Sequence, residues 1–213
     1  NVGFVKKSKW FGLLKEFNFY LGPKSVAFSS DITRMYNERQ NRNILDTNFV
    51  FQPTYLKNFT WQRTYDVKYD LTKQLKFTFT AINNSIIYEP DGVINPNATV
   101  GSDGHTKYLL YRNGLDKAFN PFSTASDTVN RFGGYTLNYG HNYNITYKLP
   151  FSQLPLTDWL TVNVKYRGSY DWMRAPIAQP AFGHTIQNSS NFNINGQADF
   201  NKIYNRLEFF RRV

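Results

Sequence analysis

The sequence contains no cysteine, only three histidines, and 15 acidic residues against 25 lysines and arginines among its 213 residues. The absence of cysteine excludes disulfide bonds, thiolate metal ligands and cysteine nucleophiles. No apolar run approaches the roughly 18 residues that a membrane helix needs, so a helical membrane protein is excluded, whereas a membrane β-barrel is not. Aromatic residues make up 18% of the chain and hydrophobic residues 41%. Because a disordered chain has few of either, the sequence predicts a folded protein.

The clearest pattern is a strict alternation of apolar and polar residues, which is typical of an extended strand with two different faces. In residues 135–149, seven of the eight odd positions are apolar or aromatic, and none of the seven even positions is. Residues 59–71, 160–172 and 186–200 repeat this alternation, and residues 25–39 and 75–87 show it more weakly. The sequence therefore predicts six strands of roughly 13 to 15 residues, well above the usual length of about 5 or 6.

The connections between these strands alternate in length. Residues 40–58, 88–134 and 173–185 form long connections, whereas residues 72–74 and 150–159 form short ones. Short turns at one end and long loops at the other are typical of an outer-membrane barrel. The predicted fold is all-β: an antiparallel up-and-down transmembrane β-barrel segment of about six long strands, with short periplasmic turns and long extracellular loops. Residues 1–213 form one segment of a larger barrel, in which 1–24 and 201–213 are periplasmic and 25–200 hold the strands and loops.

In this interpretation the polar rows face a water-filled lumen and the apolar rows face outer-membrane lipid. The predicted lumen-facing residues are Asp66, Lys68, Lys76, Asn163, Lys165, Arg167, Asn193 and Gln197. The predicted membrane-interface aromatics are Trp61, Tyr69, Tyr147, Trp159, Tyr170 and Trp172. The other interpretation of both sets is a soluble antiparallel sheet, whose exposed face alternates equally well and whose strands are also rich in Trp and Tyr.

Three features favour the barrel: the strand length, the asymmetry of the connections, and the lack of a recognisable amphipathic helix to cover the apolar face. A strand of 15 residues at about 3.3 Å per residue spans about 50 Å, or about 35 Å when tilted near 45°, which crosses a bilayer core. Arg63 is an exception on an apolar row. We interpret it as a side chain that snorkels to the lipid headgroups.

The sequence has no recognisable catalytic or cofactor motif. His105, His141 and His184 lie far apart and lack partners at metal-ligand spacing. The sequence has no Gly-x-Ser-x-Gly elbow, phosphate loop or dinucleotide fingerprint. We therefore expect no enzymatic activity, no metal and no cofactor.

Binding to nucleic acid is disfavoured by the position of the positive charge. The net charge is +10, but residues 1–24 and 201–213 together supply +7 of it. A nucleic-acid surface would instead carry its basic residues on the sheet itself. The basic ends are interpreted either as short amphipathic segments at the inner membrane boundary or as solvated linkers.

Four stretches of the sequence resemble the SprA/Sov family, the giant outer-membrane translocon of the type 9 secretion system in Bacteroidetes. They are residues 17–43, 59–92, 145–176 and 183–205, about half of the chain. The more specific part runs ITYKLPFSQLPLTDWLTVNVKYRGSYDWMRAP, a strand, a Pro-Leu turn, Asp-Trp, a strand and Tyr-Asp-Trp. The resemblance implies a very large single-chain barrel that exports folded cargo proteins bearing a C-terminal signal domain. It also implies a PorV-type β-barrel partner at a lateral opening and a periplasmic plug protein.

The chain is far shorter than members of that family, and six strands are fewer than the about eight of the smallest bacterial barrels. The sequence therefore predicts a segment of a barrel wall. A second hypothesis is an outer-membrane channel, receptor or lipopolysaccharide-insertion barrel for small ligands or lipids. A third is a soluble β-sheet binding module.

Overall fold

A computed structural model describes residues 20–42, 44, 50–125, 130–153, 157–176 and 179–205. The described part is built mainly of long β-strands, with helices in the connections. In chain order the elements are β1 Ser25–Arg39, β2 Thr54–Asp70, β3 Leu75–Ile86, α1 Asp103–Phe119, β4 Tyr135–Lys148, β5 Leu160–Met173, β6 Thr185–Ala198 and α2 Phe200–Tyr204. Two short 3₁₀ helices, Pro150–Gln153 and Pro180–Phe182, lie in the connections on either side of β5.

The six strands form one antiparallel sheet in the order β1-β2-β3-β4-β5-β6. Each strand pairs with its neighbours in sequence, so the predicted up-and-down arrangement is confirmed. The predicted strand limits agree to within two residues, except that β2 begins at Thr54 rather than Phe59. The sheet is open and does not close into a barrel, which leaves β1 and β6 as its edges.

The two short connections, 71–74 and 149–159, lie at one end of the sheet, called here the turn end. The three long connections, 40–53, 87–134 and 174–184, lie at the other, called the loop end. At the turn end, Leu149 N–H donates to the Val162 carbonyl (2.9 Å), and Thr72 caps the tight turn by accepting from Leu75 N–H (2.9 Å). The predicted asymmetry of the connections is therefore present.

In this register the apolar side chains of one strand lie beside apolar side chains of the next, and polar ones beside polar ones. This follows because side chains alternate between the two faces with a period of two along every strand. Across the sheet Val26 lies opposite Val67, Val67 opposite Phe79, Phe79 opposite Tyr143, and Tyr143 opposite Gly168. The sheet consequently has one face rich in aromatic and apolar residues, the apolar face, and one rich in amides, hydroxyls and charges, the polar face.

A β-bulge interrupts the pairing of β3 with β4 near the loop end. Asn84 pairs with Asn138, but Ser85 pairs with Thr136, so that one residue of β4 is left out of the ladder. The prediction that the side chains of β4 alternate between the two faces without interruption from Tyr135 is therefore wrong for Tyr135 and Thr136, which lie beyond the bulge. A bulge kinks its strand and re-aims the side chains beyond it, which places Thr136 opposite Ser85.

The connection 87–134 holds a helix where the sequence analysis expected only loop. The Ser102 hydroxyl caps α1 by accepting from His105 N–H (3.2 Å), and Asp103 in the first turn pairs with Lys107 (2.8 Å). Gly114 and Ala118 of α1 are buried. Among the described residues no helix is long and apolar enough to cross a membrane.

The sheet has almost no packed core. The buried hydrophobic residues of the described chain are Ala81, Ile87, Ala118 and Ala175. By contrast, Val26 is 66% exposed, Phe28 59% and Phe192 62%. An apolar surface of this kind is uncommon on a soluble monomer and marks a membrane or protein interaction site.

Of the predicted terminal segments, residues 1–19 and 206–213 lie outside the described residues. Residues 20–24 extend β1 past the turn end, where Lys24 N–H donates to the Lys68 carbonyl (2.8 Å) and Tyr20 N–H to the Leu71 carbonyl (3.1 Å). The chain leaves β6 through α2, whose Lys202 lies 3.9 Å from Asp199.

Candidate lumen wall and membrane surface

The eight predicted lumen residues share the polar face. The pairings that establish this are Asp66 with Thr80, Lys68 with Thr78, Lys76 with Thr146, Asn163 with Lys148, Lys165 with Thr146, Arg167 with Asn144, Asn193 with Lys165, and Gln197 with Thr161. Four strands contribute them: β2, β3, β5 and β6. The face is continuous across the sheet, because β4 supplies the intervening amides and hydroxyls.

Neighbouring side chains on the polar face hydrogen-bond to one another across the strands. The Thr80 hydroxyl donates to Asp66 Oδ1 (2.7 Å), and the Asn84 amide donates to Asn138 Oδ1 (2.6 Å). The Ser169 and Ser189 hydroxyls lie 2.7 Å apart. Two open cavities of about 310 and 400 Å³ lie along β3 to β6 and are lined largely by these groups. The face thus offers many neutral hydrogen-bonding groups, together with exposed apolar side chains at Leu56, Ile82 and Met173.

Formal charges on the polar face are segregated along the strands. Towards the turn end lie five cations, Lys68, Lys76, Lys148, Lys165 and Arg167, with Asp70 as the one acid among the described strand residues there. Further towards the loop end lie Asp31, Asp66 and Asp171, with Arg39 only at the last pair of β1 with β2. This order of charges depends on the register between strands, so the alternation within single strands does not predict it.

On the apolar face, β4 and β5 carry a band of aromatic and aliphatic side chains that is interrupted by His141 and Gly168. The band runs from the pair Tyr139–Trp172 to the pair Tyr147–Val164, nine residues along each strand. A tilted strand needs about 9–11 residues to cross the hydrocarbon core of a bilayer. The band is bounded by Tyr139 and Trp172 at one end and Tyr147 at the other, which matches the aromatic girdles of membrane barrels.

Aromatic rings pack tightly in the middle of this band. His141 lies midway along β4 and stacks on Tyr170, with 5.2 Å between ring centroids and 22° between planes. Phe79 and Tyr139 flank the same imidazole at 5.6 and 5.5 Å. The Tyr143 ring lies over Gly168, so closely that a Cβ at Gly168 would be 2.7 Å from Tyr143 Cε1. The central position of His141 on β4 therefore places its imidazole among aromatic rings.

At the loop end, the apolar face is covered by α1 and the segment before it. The Phe119 ring lies 5.0 Å from Trp61 and 6.4 Å from Phe59. Arg34 Nε donates to Glu89 Oε1 (2.6 Å), and the Glu89 side chain is only 1% exposed. These contacts join α1 and residues 87–90 to the two strands nearest the β1 edge.

Arg63 is bound by protein groups and does not snorkel, so the sequence-based interpretation of this residue is wrong. Its Nη2 donates to the Gly133 carbonyl (2.8 Å), Ser85 Oγ (2.9 Å) and Asn83 Oδ1 (3.2 Å). Its guanidinium also lies 4.7 Å from the centre of the Trp61 ring. The apolar face is therefore polar near its loop end, where the connection 87–134 returns to β4.

The predicted interface aromatics do not all lie near the ends of the apolar face. Trp61 and Trp172 lie towards the loop end, Tyr69 and Tyr147 lie towards the turn end, and Trp159 directly precedes β5, but Tyr170 lies opposite His141 in the middle of the band. Trp61 is covered by Phe119, and its indole N–H donates to Ser30 Oγ (2.8 Å). Tyr69 donates to the Tyr20 carbonyl (2.8 Å), which binds the segment before β1 to the sheet.

Outside the strands, hydrogen bonds to nearby residues shift the pKa values of two side chains in α1. The hydrogen bond from Ser123, followed by that from Asn120, lowers the pKa of Asp116 near the end of α1. A hydrogen bond to Asp103 raises the pKa of Lys107 in the first turns of the same helix. Within the described ranges, no group of three or more His, Asp or Glu side chains is placed to hold a metal ion.

The sequence matches no protein-family model and no curated protein.

Proposed function

We propose that the chain is a segment of the wall of a protein-conducting outer-membrane β-barrel of the SprA/Sov type. The observation that carries this proposal is a sheet with two contrasting faces and almost no core. One face is an aromatic band nine residues tall on β4 and β5, and the other is an amide-rich polar wall. A soluble sheet needs a second layer of protein over its apolar face, whereas lipid covers that face in a membrane barrel.

The open edges also support a larger barrel. β1 and β6 each leave one side without a strand partner in the described chain. Unpaired backbone N–H and C=O groups in hydrocarbon cost several kcal/mol each, so membrane sheets close on themselves. In this proposal, further strands continue the wall from β1 and from β6.

The proposed mechanism is passage of folded cargo proteins through the polar lumen to the cell surface, without bond chemistry. Amides and hydroxyls such as Asn144, Ser169 and Asn191 give the wall groups that hydrogen-bond to water and keep its surface hydrated. The resemblance to the SprA/Sov family supplies the cargo class, the PorV-type partner and the periplasmic plug. The outer membrane is the proposed location.

The absence of cysteine permits a sharp test of which face is wet. We propose Asn144→Cys and Ile145→Cys, adjacent positions on opposite faces of β4, each labelled in outer membranes with a charged, membrane-impermeant maleimide. The expected result is labelling of the Asn144 variant alone, because Ile145 would lie in lipid. Equal labelling of both variants, together with good solubility without detergent, contradicts the proposal and favours a soluble binding module.

The orientation is tested in the same way. Ser102→Cys, ahead of α1, should react in intact cells, whereas Lys73→Cys, in the turn between β2 and β3, should react only after the outer membrane is permeabilised. The reverse order contradicts an extracellular loop end.

The mass of the native protein and its conductance in a bilayer distinguish a protein-conducting translocon from a channel for small ligands. We expect the native protein extracted from outer membranes to be much larger than 24.9 kDa, the mass of this chain. A native protein of that mass contradicts the segment proposal. In planar bilayers, a small fixed conductance that is blocked by a ligand favours a substrate-specific channel or receptor.

A further inference from the structure

The turn end of the polar face presents positive charge that the described protein does not neutralise. Lys68, Lys76, Lys148, Lys165 and Arg167 are all exposed. None of the five forms an ion pair within the described ranges. The acid at this end, Asp70, already lies 3.4 Å from Lys24, which precedes β1. Five exposed cations with Asp70 as the one acid among the described strand residues there form a surface complementary to an anion.

The spacing of these cations fits an extended chain better than a compact anion. Neighbouring strands lie about 4.8 Å apart, so Lys76 and Lys165, two strands apart, are separated by about 10 Å at their backbones. Lys68 and Arg167 are three strands apart, or about 14 Å by the same spacing. In an extended peptide, side chains on one side recur about every 6.6 Å, so carboxylates at alternate positions cover these separations. A single phosphate is too small to contact cations so far apart.

The groups between the cations suit a peptide backbone. Thr78 and Asn144 separate Lys68 from Arg167, and Thr146 separates Lys76 from Lys165. Hydroxyl and amide groups donate and accept hydrogen bonds. A cavity of about 520 Å³ adjoins this surface at the turn end, lined by Lys24, Lys73 and Lys76 with Asp70, Thr72, Tyr20, Gly22 and Pro23. The cavity continues the basic surface past the end of the sheet.

We infer that the turn end of the polar face binds an acidic polypeptide segment in an extended conformation. This inference rests on the proposed function for its position at the inner mouth of the barrel. The aspartates Asp66, Asp171 and Asp31 lie further towards the loop end and repel the same segment. Their repulsion favours binding of the acidic segment at the turn end.

The test measures binding of a fluorescent oligoglutamate peptide, by fluorescence anisotropy, to the native protein extracted from outer membranes into neutral detergent micelles. The triple variant Lys76→Gln, Lys165→Gln, Arg167→Gln removes the centre of the basic surface. We expect its affinity to fall by about tenfold, since exposed ion pairs contribute about 0.2–1 kcal/mol each. Raised salt should weaken binding to the original chain, because exposed charges are screened.

A matched control removes the same net charge at the loop end, through Arg39→Gln, Arg42→Gln and Arg112→Gln. Its affinity should stay within about twofold of the original chain, because these sites lie beyond a Debye length of about 10 Å from the basic surface. All these substitutions are at surface positions, and circular dichroism of each variant checks that the sheet is intact.

Three results overturn the inference: equal loss of affinity in the two triple variants, equal binding of an oligoglutamine peptide, or complete displacement of oligoglutamate by equimolar inorganic pyrophosphate. The last result indicates a compact phosphate site instead. The cysteine-labelling experiment fails or succeeds independently of this binding assay. A labelled, lipid-inserted chain that does not bind oligoglutamate contradicts this inference alone, and a soluble chain that binds it contradicts the proposed function alone.

Discussion

The connection between α1 and β4 depends on a glycine that approaches the backbone of β3. Gly134 has φ +77°, and a Cβ built there lies 2.9 Å from the Ile86 carbonyl oxygen and 3.2 Å from Ser85 Cβ. Gly101, before α1, has a similar φ of +86°, but a Cβ there meets nothing within 4 Å. Substituting each by alanine therefore separates backbone strain from steric contact.

The expected costs follow from these two geometries. Left-handed backbone costs a non-glycine residue about 1–2 kcal/mol, and both variants incur this cost. Gly134→Ala also crowds a backbone oxygen, which cannot swing aside as a side chain does, and such overpacking adds about 1–3 kcal/mol. We expect Gly134→Ala to lower the free energy of unfolding by about 2–5 kcal/mol and Gly101→Ala by about 1–2 kcal/mol.

The assay is urea unfolding of both variants and the original chain in the same detergent, followed by tryptophan fluorescence. The difference between the variants is read from the midpoints if the slopes agree. Equal losses in the two variants refute the reasoning, because the contact with Ile86 would then contribute nothing. A larger loss for Gly101→Ala refutes the packing of the α1–β4 connection against β3.

Two further predictions concern the connection 87–134. Glu89→Gln weakens the partly buried ion pair with Arg34, and we expect it to lower the free energy of unfolding by about 1–2 kcal/mol. This is less than for a fully buried pair, because Arg34 is 41% exposed. Limited proteolysis should then cut this connection faster, whereas Glu38→Gln, at an exposed carboxylate, should leave the cleavage rate unchanged. The pKa of Asp116 is lowered by its hydrogen bond from Ser123, so its stabilisation of the helix end is fully present above the ordinary value of 3.8 and is lost as the pH falls through the lower folded value. Amide hydrogen exchange near the end of α1 should show this loss only below pH 3.8, and Asp116→Asn should remove it; an onset near neutral pH contradicts this assignment.

The sequence predicts the strands well because a two-residue period is a local signal. The limits of β1, Ser25–Arg39, agree with prediction, and the assignment of the eight lumen candidates to one face needs only parity within each strand. The register-dependent features escape prediction. The order of charges along the polar face appears only when Lys68 is aligned with Arg167, residues 99 positions apart in the chain.

Contacts across long connections escape prediction for a similar reason. Arg63 is bound by the Gly133 carbonyl, 70 residues away, and nothing near Arg63 in the sequence indicates that partner. The helix α1 was missed because its apolar residues are not spaced as a clear amphipathic stripe: Tyr108, Leu109, Leu110 and Tyr111 are consecutive. The cap at Ser102 with Asp103 behind it was the available signal for its beginning.

The strand order has a consequence for how the sheet folds. Because every strand pairs with its sequence neighbours, the sheet consists of successive hairpins, and those closed by residues 71–74 and 149–159 have the smallest loop-closure entropy to overcome. These two hairpins can form early and independently, and the connection 87–134 then brings β3 and β4 together. A sheet built in this way can gain or lose a whole hairpin at either edge without any change in the register of the strand pairs that remain.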